Sequence, residues 1–254
     1  FQTVNVGPTS TLEFRFGTED GNYGQHAQFE FDKLDIYNGA AAIINRFDNG
    51  DQTWENDYGV EIISDDVNLR TGGVITADLR GYGSSSYGSA TKGPGSGSGG
   101  TSYGGYGASS ARVPFGDVYE PYHLGSRGVD CSANGNNRNG GMGGGAIKIS
   151  VANNFIIDGE VTSDGGSANS TSLCSPAQGT GGSIWIDTNV ISSTTGAGLI
   201  TTNAGDGIGY GAGGGRIAIY YTSNSGFNFD IDHVQSRSSG NGGGPGTVYY
   251  EHKG

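Results

Sequence analysis

Four times in the second half of the chain a glycine tract runs directly into a short segment of alternating apolar and polar residues. These segments are Ala146-Ile147-Lys148-Ile149-Ser150-Val151, Ser183-Ile184-Trp185-Ile186, Arg216-Ile217-Ala218-Ile219-Tyr220-Tyr221 and Thr247-Val248-Tyr249-Tyr250. Alternation with a period of two predicts half-buried strands. Ile147, Ile149, Ile184, Ile186, Ile217, Ile219 and Val248 share one parity from the glycines, so they are expected to stack on one face. The segments begin at residues 146, 183, 216 and 247, at intervals of 37, 33 and 31 residues. A nearly constant period of this size is the mark of a repeat architecture, in which units bury their apolar faces by stacking. A second strand is predicted in each unit, at 155–161, 198–201 and 229–234, so one unit reads strand, turn, strand, glycine-rich return. No amphipathic helix is visible, and the predicted fold is an all-β, glycine-rich β-solenoid.

The first part of the chain has a different pattern. Thr11-Leu12-Glu13-Phe14-Arg15-Phe16 and Gln28-Phe29-Glu30-Phe31-Asp32 alternate strictly, as half-buried antiparallel strands do. Residues 1–57 therefore read as an N-terminal β cap, and 58–254 as the solenoid. Terminal units of solenoids are usually atypical because they close off the core. The first solenoid unit is expected at 59–77. A long insertion dominated by Gly, Ser, Tyr and Asn follows, at about 81–145. Its aromatics, Tyr82, Tyr87, Tyr103, Tyr106, Phe115, Tyr119 and Tyr122, are spaced as anchors that would lay it along the solenoid flank. The alternative is a disordered linker.

Glycine supplies 51 of 254 residues, far above the average of roughly 7%. The 14 Tyr and 10 Phe, with many Ile and Val in period-2 runs, argue for a folded β-protein rather than disorder. The net charge of −12 lacks the basic stripe that phosphate backbones require, so nucleic acid is not an expected partner. No apolar run reaches 18 residues, so no membrane insertion is expected. No signal peptide is apparent, and a chain beginning at Phe1 reads as a processed or excised piece.

Cys131 and Cys174 both sit in Gly-, Ser- and Asn-rich loops without a nearby His or second Cys pair. A disulfide between two long loops is expected rather than two free thiols, and it implies an oxidising, extracellular setting. Asn169-Ser170-Thr171 is the single N-glycosylation sequon, which makes Asn169 a candidate glycosylation site in a secreted context.

The run from about Val60 to Gly254 resembles a glycine-rich repeat module of very large secreted or surface-anchored, adhesin-like proteins of bacteria and archaea. The likeness rests on Val74-Ile75-Thr76-Ala77 and on Phe115-Gly116-Asp117-Val118-Tyr119-Glu120-Pro121-Tyr122-His123-Leu124-Gly125-Ser126. It also rests on the closing phrases Gly182-Ser183-Ile184-Trp185-Ile186, Gly214-Gly215-Arg216-Ile217-Ala218-Ile219-Tyr220-Tyr221 and Gly246-Thr247-Val248-Tyr249-Tyr250. It covers roughly three quarters of the chain and implies a parallel β-helix-like solenoid with an extracellular structural or adhesive role. Cys131 and Cys174 depart from the module's pattern.

Sites of chemistry are sparse. The four histidines, His26, His123, His233 and His252, lack metal-ligand spacing. No cofactor is expected; Ser64-Asp65-Asp66 and Asp230-Ile231-Asp232 offer weak candidates for Ca2+, against the plainer reading of turn and surface acids. Many β-helices cleave polysaccharides with paired acids. Asp187, Glu160 and Asp158, with Arg216 as a basic partner, are the carboxylates such an enzyme would draw on. The expectation is nevertheless a non-enzyme. The segment 247–251 ends the pattern on a strand with no proline or charged cap, and Phe1-Gln2-Thr3-Val4-Asn5-Val6 is a short alternating segment with no partner of its own. Open strand edges template other chains, and a contact between two different surfaces makes an open filament. Phe1, Val4, Val6, Val248 and Tyr250 are thus the candidate assembly residues. The expected role is a secreted or cell-surface filament subunit or stalk module, self-associating head to tail or joining neighbouring modules. Carbohydrate binding through exposed Tyr and Trp is the second reading.

Overall fold

A computed structural model describes residues 2–15, 27–46, 57–83, 88, 92–97, 99–108, 112–168, 174–239 and 242–254. The expectations for Phe1, Tyr87 and Asn169 fall outside these residues. Within them all regular structure is β, and no helix occurs. Two parallel sheets wind into a β-solenoid of about six turns.

The coils begin with β1 (Thr3–Val6) and β2 (Thr11–Phe14), then β3 (Ala27–Ile36) and β4 (Ala41–Ile44), then β5 (Val60–Leu69) and β6 (Val74–Thr76). The insertion adds two small antiparallel pairs, β7 (Ser96–Gly97) with β8 (Gly100–Thr101) and β9 (Cys131–Ala133) with β10 (Asn136–Arg138). Coiling resumes with β11 (Ala146–Ile157) and β12 (Glu160–Thr162), β13 (Ser183–Ser192) and β14 (Leu199–Thr201), β15 (Arg216–Ser225) and β16 (Val234–Gln235), and a last strand, β17 (Thr247–His252). The odd-numbered coil strands form one sheet, in the order β1-β3-β5-β11-β13-β15-β17. Their short partners form the other, β16-β14-β12-β6-β4-β2.

The predicted register holds residue for residue. Ile147 pairs with Ile184, Ile184 with Ile217 and Ile217 with Val248, while Ile149, Ile186, Ile219 and Tyr250 form the next inward ladder. The isoleucines of both ladders are buried against Ile75, Val161 and Ile200 of the second sheet. β-Branched side chains suit this pleated surface, and each coil extends the same apolar column by one residue. Each long strand turns a corner near its middle. There Ser64 Oγ donates to the Asp66 carbonyl at 2.9 Å and Thr188 Oγ1 to the Val190 carbonyl at 3.1 Å, while β11 accommodates a bulge between Val151 and Asn154.

The N-terminal strands differ from expectation. β1 to β4 are not antiparallel; they pair parallel with β3, β4, β5 and β6 as the first coils of the same two sheets. Strict alternation reports that one face is buried, and it carries no information on strand direction. Phe14, Phe29 and Phe31 cluster edge-to-face at this end, with ring centroids 4.9 and 6.1 Å apart.

The insertion folds against the coil largely through its own backbone. Within the insertion Gly81, Tyr82, Gly125 and Gly128 donate to carbonyls of Gly143, Gly125, Gly144 and Gly141, and toward the coil Gly141, Gly144 and Gly105 donate to Ala177, Thr180 and Gly214. Segments without side chains approach closely enough to hydrogen-bond side by side. A Cβ on Gly104 would lie 1.9 Å from the Gly215 carbonyl oxygen, and one on Gly128 would lie 1.8 Å from that of Ala177. Of the predicted aromatic anchors, Tyr82 and Tyr103 are fully buried, whereas Tyr106 and Tyr119 are exposed.

Candidate assembly surfaces at the two ends of the coil

β17 pairs on one side only, with β15, and is the edge of its sheet. Its inward residues Val248 and Tyr250 continue the isoleucine ladders but are each 37% exposed, against 0% for Ile217 and Ile219 beneath them. Tyr250 packs edge-to-face on Phe229 at 4.8 Å, and Phe229 stacks on Tyr221 at 5.0 Å, so an aromatic cluster is left open at this end. Burial pushes the Tyr250 hydroxyl up to about 12, aided by the Asp230 charge. At the opposite end β1 is the edge strand, with Val4 partly buried and Val6 buried. Val4, Val6, Val248 and Tyr250 therefore lie on the two terminal strands, and Phe1 lies outside the described residues.

A clasp between the insertion and the coil abuts β17. Arg216, the first residue of β15, is buried, and its Nε and Nη2 donate to the Phe115 carbonyl at 3.0 and 2.8 Å. Its Nη1 donates to Thr247 Oγ1 at 3.0 Å, joining the clasp to the first residue of β17. The guanidinium lies 5.6 Å from the centre of the Tyr103 ring, and the Tyr103 hydroxyl bonds Ser183 Oγ, which donates to the His123 carbonyl at 2.7 Å. Burial pushes the Tyr103 hydroxyl up to about 12. It also lowers the Arg216 pKa, though a guanidinium stays charged. Tyr103 is among the anchors expected from the sequence, whereas Arg216 is expected only as a basic partner for carboxylates; a lone Arg after a glycine tract gives no sign of the carbonyl it will meet.

Cys131 and Cys174 are disulfide-bonded, with Cα atoms 6.0 Å apart, and tie the insertion to the loop before β13. Such a bond is compatible with an extracellular protein. Nearby, the fully buried Arg127 pairs with Asp130 at 2.6 Å. Burial disfavours the Asp130 carboxylate, but hydrogen bonds from Arg127 and from the N–H groups of Gly140 and Gly88 outweigh it and lower its pKa. One carboxylate thereby pins three separated stretches of the insertion.

The remaining candidate acids mostly serve separate local contacts. Asp187 pairs with Lys253 on the outer face of the sheet, where Lys148 bonds Glu61 at 2.9 Å and sits 4.3 Å above the Trp185 ring. Asp158 accepts Ser193 Oγ at 2.8 Å and the Thr194 N–H at 2.7 Å. Burial opposes its ionisation, and these bonds bring it down to about 2. Glu160 opens β12 and is exposed. Asp66 accepts both the backbone and side-chain N–H of Asn154 on the neighbouring coil, and Asp230 accepts the N–H groups of Asp232 and His233 in its own turn. Glu30, Asp32, Asp65 and Asp187 line an open groove of about 410 Å3 over the strand corners. Among the described residues no three His, Cys, Asp or Glu converge as a metal site, and no helix is long and apolar enough to cross a membrane.

The fold and its open ends define a glycine-rich parallel β-solenoid with an inserted, disulfide-bonded flank. No family model, no curated protein and no solved structure matches the chain.

Proposed function

We propose that this protein is an extracellular structural subunit, part of a filament or of an adhesin stalk, that assembles end to end by adding strands to its coil. The observation that carries the reading is the open ladder at β17. Val248 and Tyr250 stand exposed directly above the fully buried Ile217 and Ile219, beside an unpaired strand edge. Covering that edge satisfies its N–H and C=O groups and removes apolar side chains from water in the same step. The likeness to glycine-rich modules of large surface proteins and the disulfide support a secreted setting. Charged substitutions at the open end, Val248→Lys with Tyr250→Lys, are solvated in the single subunit and obstruct strand addition. Electron microscopy should show fibres for the native protein and single particles for the double variant, with unchanged circular dichroism. Fibres from the double variant contradict the proposal.

One observation favours carbohydrate binding as a second reading. Tyr119 is exposed, its ring meets Tyr249 edge-to-face at 4.8 Å, and its carbonyl accepts the Tyr220 hydroxyl at 2.8 Å. A braced, exposed ring of this kind suits stacking on a sugar face. Loss of glycan-array binding in Tyr119→Ala, with fibres intact, would assign this surface to carbohydrate.

A further inference from the structure

We infer that a second copy of this chain continues the coil without a break, its β1 seated on residues 223–225 of β15 and the first half of its β3 seated on β17. The inference rests on the end-to-end reading above and adds the partner and the register.

The long sheet consists of two stacks side by side, divided at the strand corners. β17 pairs only with the first half of β15, from Arg216↔Thr247 to Tyr221↔His252. β1 pairs only with the second half of β3, from Thr3↔Lys33 to Val6↔Ile36. The first-half stack therefore runs from β3 to β17 and the second-half stack from β1 to β15, and each holds six strands; the short sheet, β2 to β16, also holds six. At one end β17 projects beside a recess over residues 223–225. At the other, β1 stands beside residues 27–31, which no described strand covers. Extending the β1 columns by one layer sets Thr3, Val4 and Asn5 of the next copy on Ser223, Asn224 and Ser225, so Val4 meets a polar residue there.

Exposure follows the same step. Within β3, Leu34 and Ile36 are fully buried beneath β1, while Ala27, Phe29 and Phe31, on the half that no described strand covers, are only partly buried. At the other end Val248 and Tyr250 are exposed, as are Ser223, Asn224 and Ser225. Extending the columns by one layer sets Val248 on Ala27 of the next copy and Tyr250 on Phe29. Both are apolar on apolar, and they bring the two aromatic clusters together. In the short sheet, Val234 meets Leu12. The outer face sets Glu251 against Glu30, one like-charge pair that weakens the joint without altering its register.

Cysteine pairing tests this register. Glu30→Cys and Glu251→Cys, prepared separately with the native disulfide intact, are mixed under mild oxidation. In-register parallel neighbours lie ~4.8 Å apart, within disulfide reach. Gln28→Cys, two residues out of register, lies roughly 7–8 Å away and outside it. The linked Glu251→Cys/Glu30→Cys product should exceed the Glu251→Cys/Gln28→Cys product by about tenfold or more. Native fibres should repeat every ~29 Å, six layers of ~4.8 Å. This repeat is measured on unmodified protein and holds even if a cysteine variant fails to fold. Fibres with a different repeat, or with the Gln28→Cys product dominant, overturn the register and leave the end-to-end reading standing. A native protein that stays monomeric at high concentration, with no cross-link between the mixed variants, overturns both. That result would leave this edge to a neighbouring module of a longer chain.

Discussion

The carboxylate of Asp78 accepts the backbone N–H of Asp164, one coil further along, at 2.6 Å, and Asp164 in turn accepts the N–H of Asn203 at 2.6 Å. Asn203 Oδ1 then accepts the N–H of Arg237 at 2.8 Å. Thr162 and Thr201 donate their hydroxyls to the second oxygens of Asp78 and Asp164, at 3.0 and 3.1 Å. The same acceptor position thus closes successive coils after the short sheet, and it stacks two carboxylates in partly buried surroundings.

This stacking has a pH signature. Burial, and then the charge of Asp78, push Asp164 up to about 6 from an ordinary 3.8. An acid whose pKa is raised on folding contributes stability that is full below its unfolded value and is lost as pH rises through the folded value. Between pH 3.8 and about 6 the native protein should lose stability from this group, and Asp164→Asn should not. Asparagine keeps the acceptor that Asn203 already uses one coil on. Unfolding free energies at neutral pH should favour the variant by roughly 1–3 kcal/mol, with the difference vanishing near pH 4. Parallel pH profiles for the two proteins would contradict this account.

The glycine packing makes a contrasting pair of substitutions informative. Gly104→Ala drives a Cβ to 1.9 Å from a backbone oxygen, whereas Gly7 has nothing within 4 Å. The first should cost about 1–3 kcal/mol or more, and the second should stay within about 0.5 kcal/mol. Limited proteolysis should cut the Gly104→Ala insertion early while the isoleucine coil resists.

Reduction of Cys131–Cys174 releases a cross-link spanning 43 residues. In the chain-entropy account this costs about 4 kcal/mol. A lowered melting temperature with retained β circular dichroism is the expected outcome, because no ladder residue of the coil depends on the bond. Peptide mapping of the unreduced protein should recover one linked pair, and labelling of both thiols before reduction would refute it.

Arg216→Gln shortens the reach to the Phe115 carbonyl and removes the charge that strengthens those bonds. Hydrogen bonds to charged groups contribute about 1.5–3 kcal/mol, so a loss of this size is expected. Protease sensitivity should appear around residues 112–120, and wild-type resistance there would contradict the clasp.

Much of the coil was readable from local pattern. Ile147, Ile184 and Ile217 follow their glycine tracts at the same offset, and a parallel stack with one buried face admits a single register for such residues, because a slip by one would turn each ladder outward. Strand direction at 11–14 and 27–36 was not readable, since alternation looks the same in parallel and antiparallel pairs. The flank was less legible still. Glycine marks where another backbone can approach, but it has no side chain to name the approaching segment, so Gly104 meeting Gly215 is settled only when distant coils are in place. Likewise, the buried Arg216 needs the Phe115 carbonyl brought 101 residues along the chain to its guanidinium. The stagger that leaves β17 and β1 as edges of different half-strand stacks depends on how many half-strands each stack accumulates. That count belongs to the wound coil, and no single repeat contains it.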